Sequence, residues 1–129
     1  AGHRAEALDA ARASLGRDPG DAYSANIAAW ILATAPEEDL RDGMEAERIA
    51  RAALESIGNA DAPSYLLDTY AAALASAGRF EEAVAVASRA IDRATAAGDS
   101  EQVRVSHERL AHYTAREAFR DDARPRRGG

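Results

Sequence analysis

The segment from Pro63 to Ala97, PSYLLDTYAAALASAGRFEEAVAVASRAIDRATAA, restricts this chain to closely packed helices. Leu67, Tyr70, Ala71 and Leu74 recur three and four apart, the spacing of one face of an α-helix. A break at Ala77-Gly78-Arg79 divides the segment into two helices. Pro63 suits a first helical turn, because its missing N–H would go unpaired there in any case. Gly78 follows the last apolar position of the first helix, where a left-handed residue favours glycine. Glu81 and Glu82 open the second helix near Phe80 and complement its dipole, and Gly98 ends it. Ala71, Ala83 and Ala90 fall where two helices have to touch closely, with Ala87 between the last two.

This pattern resembles a tetratricopeptide repeat: a large residue, then a large and a small one three and four later, then another large one, and after the turn alanines at helical spacing. Leu67 stands where that family often has Trp, Ala87 where it has an aromatic residue and Thr95 where it has Pro. The agreement lies in the small residues and the turn.

The rest of the chain extends the pattern. Gly2-His3-Arg4 and the run to Asp18-Pro19 resemble the second helix of an earlier repeat, with Ala7, Ala11 and Ser14 at the packing positions. An upstream helix is therefore expected, and without it the apolar face of Ala5 to Leu15 is expected to be partly bare. Asp21 is the N-cap of the next first helix, Asp21 to Thr34, with Ala25, Ala28, Ala29 and Leu32 facing the core. Its distance from Pro19 is that of a repeat of about 34 residues. Residues 35–42 form an insertion where such a repeat has a short turn. Asp42 and Glu45 form a capping box, and the following helix carries Ala46, Ala50 and Ala53 before Gly58-Asn59-Ala60-Asp61 closes it.

Asp99-Ser100-x-Gln102 starts a last helix, expected to run to about Ala118, with Val103, Leu110, Tyr113 and Phe119 as its apolar stripe and Val105 and Ala111 beside them. It is expected to cover the Phe80–Ala97 helix, since terminal repeats need a cap with a polar outer face. Residues 120–129, with Arg124-Pro125-Arg126-Arg127, are expected to be a disordered tail.

Three separate blocks agree with something narrower. Trp30-Ile31-Leu32-Ala33-Thr34-x-Pro36, Leu40-Arg41-Asp42-Gly43 and Pro63-x-Tyr65-Leu66-x-Asp68-Thr69 resemble the C-terminal tetratricopeptide arrays of large multidomain bacterial proteins. The resemblance implies a scaffold, often appended to a catalytic domain, with no chemistry of its own.

Composition sets the outer bounds. The 129 residues suffice for one domain with a continuous core. A net charge of −6 argues against a general nucleic-acid surface. There is no cysteine, so neither a disulfide nor a thiolate site is available. No apolar run is long enough to span a membrane. Alanine makes up about a quarter of the chain, which points to helices in close contact through small side chains. The compartment stays open, with the cytoplasm as the default expectation.

Motifs that carry chemistry are weak. His107 and His112 bracket a His-Glu pair but lie five apart, which turns the second about 140° away from the first on a helix. The carboxylate pairs Glu37-Glu38, Glu81-Glu82 and Asp121-Asp122 are sequence neighbours on loops or helix starts, not residues converging across a cleft. No phosphate loop or nucleophile elbow is present. Neither an enzymatic activity, a metal nor a cofactor is expected.

In a tetratricopeptide array the first helix of each pair lines a concave groove. The resemblance therefore implies that Tyr23, Asn26, Trp30 and Ala33, and then Tyr65, Asp68, Thr69, Ala72 and Ser76, point toward it. Aromatic residues beside an amide and a carboxylate suit an extended peptide. Alternatively, Trp30 and Tyr65 fill space between neighbouring first helices. With no Lys or Arg expected on the inner faces and Asp68 repulsive, capture of a C-terminal carboxylate is not expected.

The expected fold is all-α: a tetratricopeptide-like α-solenoid of antiparallel helix pairs in a single domain, 1–119, with an orphan second helix (1–19), repeats at 21–58 and 63–97 and a capping helix at 99–119. The expected function is a protein-interaction scaffold that binds a protein or peptide partner through the groove. The alternative is an appendage that packs on, or regulates, a catalytic or signalling domain of the same polypeptide. Neither nucleic acid nor membrane is an expected partner. The N-terminal helix is a candidate for self-association.

Overall fold

Every helix but the first begins or ends at a residue chosen for that purpose. The computed structural model describes residues 2–121, which fold as α1 (Gly2–Arg17), α2 (Ala22–Thr34), α3 (Gly43–Ile57), a single 3-10 turn (Asn59–Asp61), α4 (Ser64–Ser76), α5 (Phe80–Ala96) and α6 (Ser100–Thr114), with no strand among the described residues. Asp21, Asp42 and Asp99 cap α2, α3 and α6. Their carboxylates accept from the backbone N–H of Ser24 (3.2 Å), Glu45 (3.1 Å) and Gln102 (3.0 Å). Each bond satisfies an N–H that has no partner within the helix. Pro63 is the cap of α4 and lies one residue before the helix, not inside its first turn.

The α4–α5 turn is closed by Gly78 at φ 84°, with Arg79 N–H donating to Leu74 O at 2.8 Å. This left-handed closure satisfies the last carbonyls of α4. The same pattern recurs after α5, where Asp99 N–H donates to Ala94 O at 2.9 Å.

The helices pack in chain order, each on the next. In addition α2 touches α4 and α4 touches α6, whereas α1, α3 and α5 make no comparable contacts with one another among the described residues. The even-numbered helices therefore form one adjoining layer and the odd-numbered helices lie outside it. The core between them is built of small residues: Ala28, Ala29, Ala46, Ala50, Ala71, Ala83, Ala87 and Ala90 are fully buried, and Leu32, Leu66, Leu67 and Leu74 supply bulk. The alanines read from the spacing as contact positions are thus in contact. Gly43 marks the tightest approach. A Cβ built there would lie 2.6 Å from the Ser76 carbonyl carbon, so only glycine lets the start of α3 meet the end of α4.

On α1, Leu8 and Ala11 are in the core, Ala5, Ala7 and Leu15 are half-buried, and the helix turns Glu6, Asp9, Ala10 and Ala13 outward. Three expectations are corrected. Ala33 and Ala72, expected to face the groove, are sealed in the core. Helix α6 ends at Thr114, and its buried side chains are Ser106 and Tyr113, while Val103, Val105 and Leu110 are half-buried and Ala111 is exposed. Finally, the expected disordered tail begins too early at 120. Arg120 donates to Ala33 O at 3.3 Å, and Asp121 N–H donates to Thr34 O at 2.8 Å. Residues 122–129 of that expectation lie outside the described residues.

Candidate functional site

The even-numbered helices border an open cavity of about 260 Å³ on their shared face. Its lining comes from α2 (Asn26, Trp30), α4 (Tyr65, Asp68, Thr69), α6 (Gln102, Arg109) and the segment beyond α6 (Asp121). Asn26 and Trp30 are one turn apart on α2, and Tyr65, Asp68 and Thr69 repeat that spacing on α4. Helical periodicity therefore aims five of the nine expected residues at one place.

Besides the buried Ala33 and Ala72, two more do not join them. Tyr23 is 70% exposed and lies outside the lining. Ser76 sits at the end of α4 with its backbone against Gly43. The five that converge differ in access. Asp68 and Thr69 are each 3% exposed and form the floor, while Tyr65 is 43% exposed and stands at the rim.

Arg109 corrects the expectation of an inner face without cations. Its guanidinium is bonded to the Asp68 carboxylate and lies 4.5 Å from the Trp30 ring centroid and 5.1 Å from that of Phe119. A planar cation over an aromatic face is attracted by the ring quadrupole. Asp68 also accepts from Ser106 Oγ at 3.1 Å, and Gln102 Nε2 donates to the same hydroxyl at 2.9 Å. A polar chain thus runs from Gln102 through Ser106 and Asp68 to Arg109, joining α6 to α4.

Burial holds the Asp68 carboxyl above its usual range. Arg109 and the hydrogen bonds from Ser106 and Arg109 oppose that shift without reversing it. Burial also raises the Tyr113 phenol, with the Asp68 charge adding to the effect. The Tyr113 hydroxyl and Asn26 Oδ1 are buried atoms with no hydrogen-bond partner among the described residues.

Trp30 is half-buried, and both readings of it hold a part of what is seen. Its ring packs on Phe119, with centroids 5.8 Å apart, and its Nε1–H donates to Asp121 Oδ2 at 2.9 Å. It lines the cavity and is covered by the chain's own C-terminal segment.

Sequence reasoning missed Gln102, Ser106, Arg109 and Asp121. The first three sit at i, i+4 and i+7 on α6, one helical face, which was a usable signal. A polar face on a terminal helix reads as solvated, so the apolar stripe drew the attention instead.

Elsewhere, Glu47 is buried between Arg79 (3.1 Å) and Arg51 (3.6 Å), away from the cavity lining. Among the described residues no three His, Cys, Asp or Glu side chains gather as a metal would require, and no helix is long and apolar enough to cross a membrane. In comparisons with known proteins, no family model, no curated protein and no solved structure matches the chain.

Proposed function

We propose that this chain is a protein-interaction scaffold of the tetratricopeptide kind, an α-solenoid of antiparallel helix pairs that binds an extended peptide or a partner segment on the face made by α2, α4 and α6. The observation that carries this reading is the convergence of Asn26, Trp30, Tyr65, Asp68 and Thr69 with Arg109 around one cavity. Aromatic anchors at the rim and fixed polar groups at the floor are the recognition chemistry of an extended backbone with a few side chains.

The contact pattern supports the solenoid reading. Adjoining even helices with separated odd helices are what a stack of curved pairs produces, because the inner helices crowd and the outer ones spread. Like closures at Gly78 and after α5 support a repeating unit.

The test is fluorescence of Trp30, the only tryptophan, under iodide quenching, with and without a pool of extended peptides. Protection of Trp30 on peptide addition supports the scaffold reading. A Trp30 signal that no peptide alters removes the groove's main anchor, and the chain would then fit an appendage packed on another domain of the same polypeptide.

A further inference from the structure

The cavity face is crossed by the chain itself. Beyond α6 the backbone turns at Arg116, whose φ of 61° puts a non-glycine residue in the left-handed conformation that Gly78 adopts after α4. Residues 117–121 then run back to the C-terminal end of α2. There Phe119 stacks against Trp30, and the Asp121 carboxylate accepts the Trp30 indole N–H at 2.9 Å. The Asp121 main chain donates to Thr34 O at 2.8 Å and accepts from Arg4 at 2.5 Å.

These are the contacts an extended ligand would make. One aromatic ring fills an aromatic slot that already holds the Arg109 guanidinium. One carboxylate meets a fixed donor. The main chain satisfies a terminal carbonyl of α2, one of the acceptors a helix end always leaves open. The segment lies beyond the end of α6 at Thr114, and it also packs Phe119 against the core and bonds Arg120 to Ala33 O at 3.3 Å.

We propose that residues 117–121 are an intramolecular pseudo-ligand of the groove, and that the partner is a peptide carrying an aromatic residue two positions before a carboxylate, which displaces them. The inference rests on the scaffold reading above. Being tethered, the segment competes at high effective concentration, so the chain binds its partner with an affinity reduced by the fraction of time the groove stands open.

The test uses the full chain and a fluorescein-labelled, end-capped peptide of residues 116–121, REAFRD. Anisotropy titration compares the wild type with the Phe119→Ala/Asp121→Asn double variant, whose helix content is checked by circular dichroism. The double variant is expected to bind the added peptide at least about tenfold more tightly than the wild type, and Trp30→Ala in that background is expected to abolish the gain. Should the double variant lose helicity, Asp121→Asn alone carries the test, with a smaller gain in the same direction.

Equal binding by the wild type and the folded variants overturns the pseudo-ligand inference. If the variant binds other extended peptides but not REAFRD, the scaffold reading stands and this inference falls. If neither form binds any peptide, both fall.

Discussion

Asp68 is the residue on which the site's electrostatics turn. A carboxylate at 3% exposure is costly unless paired, and it is paired with Arg109 and Ser106. Its raised pKa means the folded state holds the proton more tightly than the unfolded chain does. The stability this contributes is fully present below the ordinary value of 3.8 and is lost as pH rises through the higher folded value. Arg109 limits that loss. Arg109→Ala leaves the buried carboxylate without its cation and should cost about 3 kcal/mol near neutral pH. The cost should shrink toward about pH 4, where Asp68 can take up a proton. Urea unfolding of wild type and variant at the two pH values measures it, and a cost independent of pH would contradict the assignment. Tyr113 gives the opposite kind of case. Its ring is 1% exposed, but its hydroxyl has no partner among the described residues. Tyr113→Phe removes an unsatisfied buried group, so thermal unfolding should show it neutral or more stable by up to about 1 kcal/mol.

At the scale of helices, the decisive contacts are made by the absence of side chain. The meeting of α3 with α4 at Gly43 leaves no room for a methyl group, because the obstructing atoms are the Ser76 and Ala77 backbone, which cannot swing aside. Gly43→Ala should therefore destabilise by about 1–3 kcal/mol by forcing the two helices apart. A denaturation midpoint unchanged by this substitution would show that the approach is looser than described. The helices themselves were legible in the sequence for local reasons. Asp21, Asp42 and Asp99 are caps that act within three residues of themselves, and the alanine stripes follow from helical spacing alone. The end of α6 was less legible. It is set by Arg116 in a left-handed conformation, and nothing in the identity of an arginine announces that.

At the scale of the molecule, the layering of α2, α4 and α6 makes a face, and the chain returns across it. Five groove residues were readable because they share a turn-by-turn register on two helices. Arg109 and Asp121 were not, because they enter from α6 and from beyond it. Which helix faces which depends on distant packing, and local patterns do not encode it. The same reason explains why Ala33 and Ala72 went to the core: at a crowded inner layer, a position one step off the stripe is already covered.

Everything proposed for this protein depends on a partner binding at this inner face. The most direct measurement is a heteronuclear NMR titration of the full chain with a peptide bearing an aromatic residue two positions before an acidic one. The single tryptophan provides one indole N–H signal at the centre of the site. This signal is expected to move together with the backbone amides of Asn26, Asp68, Gln102 and Arg109, while those of Met44 and Glu55 on α3 stay in place. Shifts confined to α1, α3 and α5, with the indole signal unmoved, would contradict it.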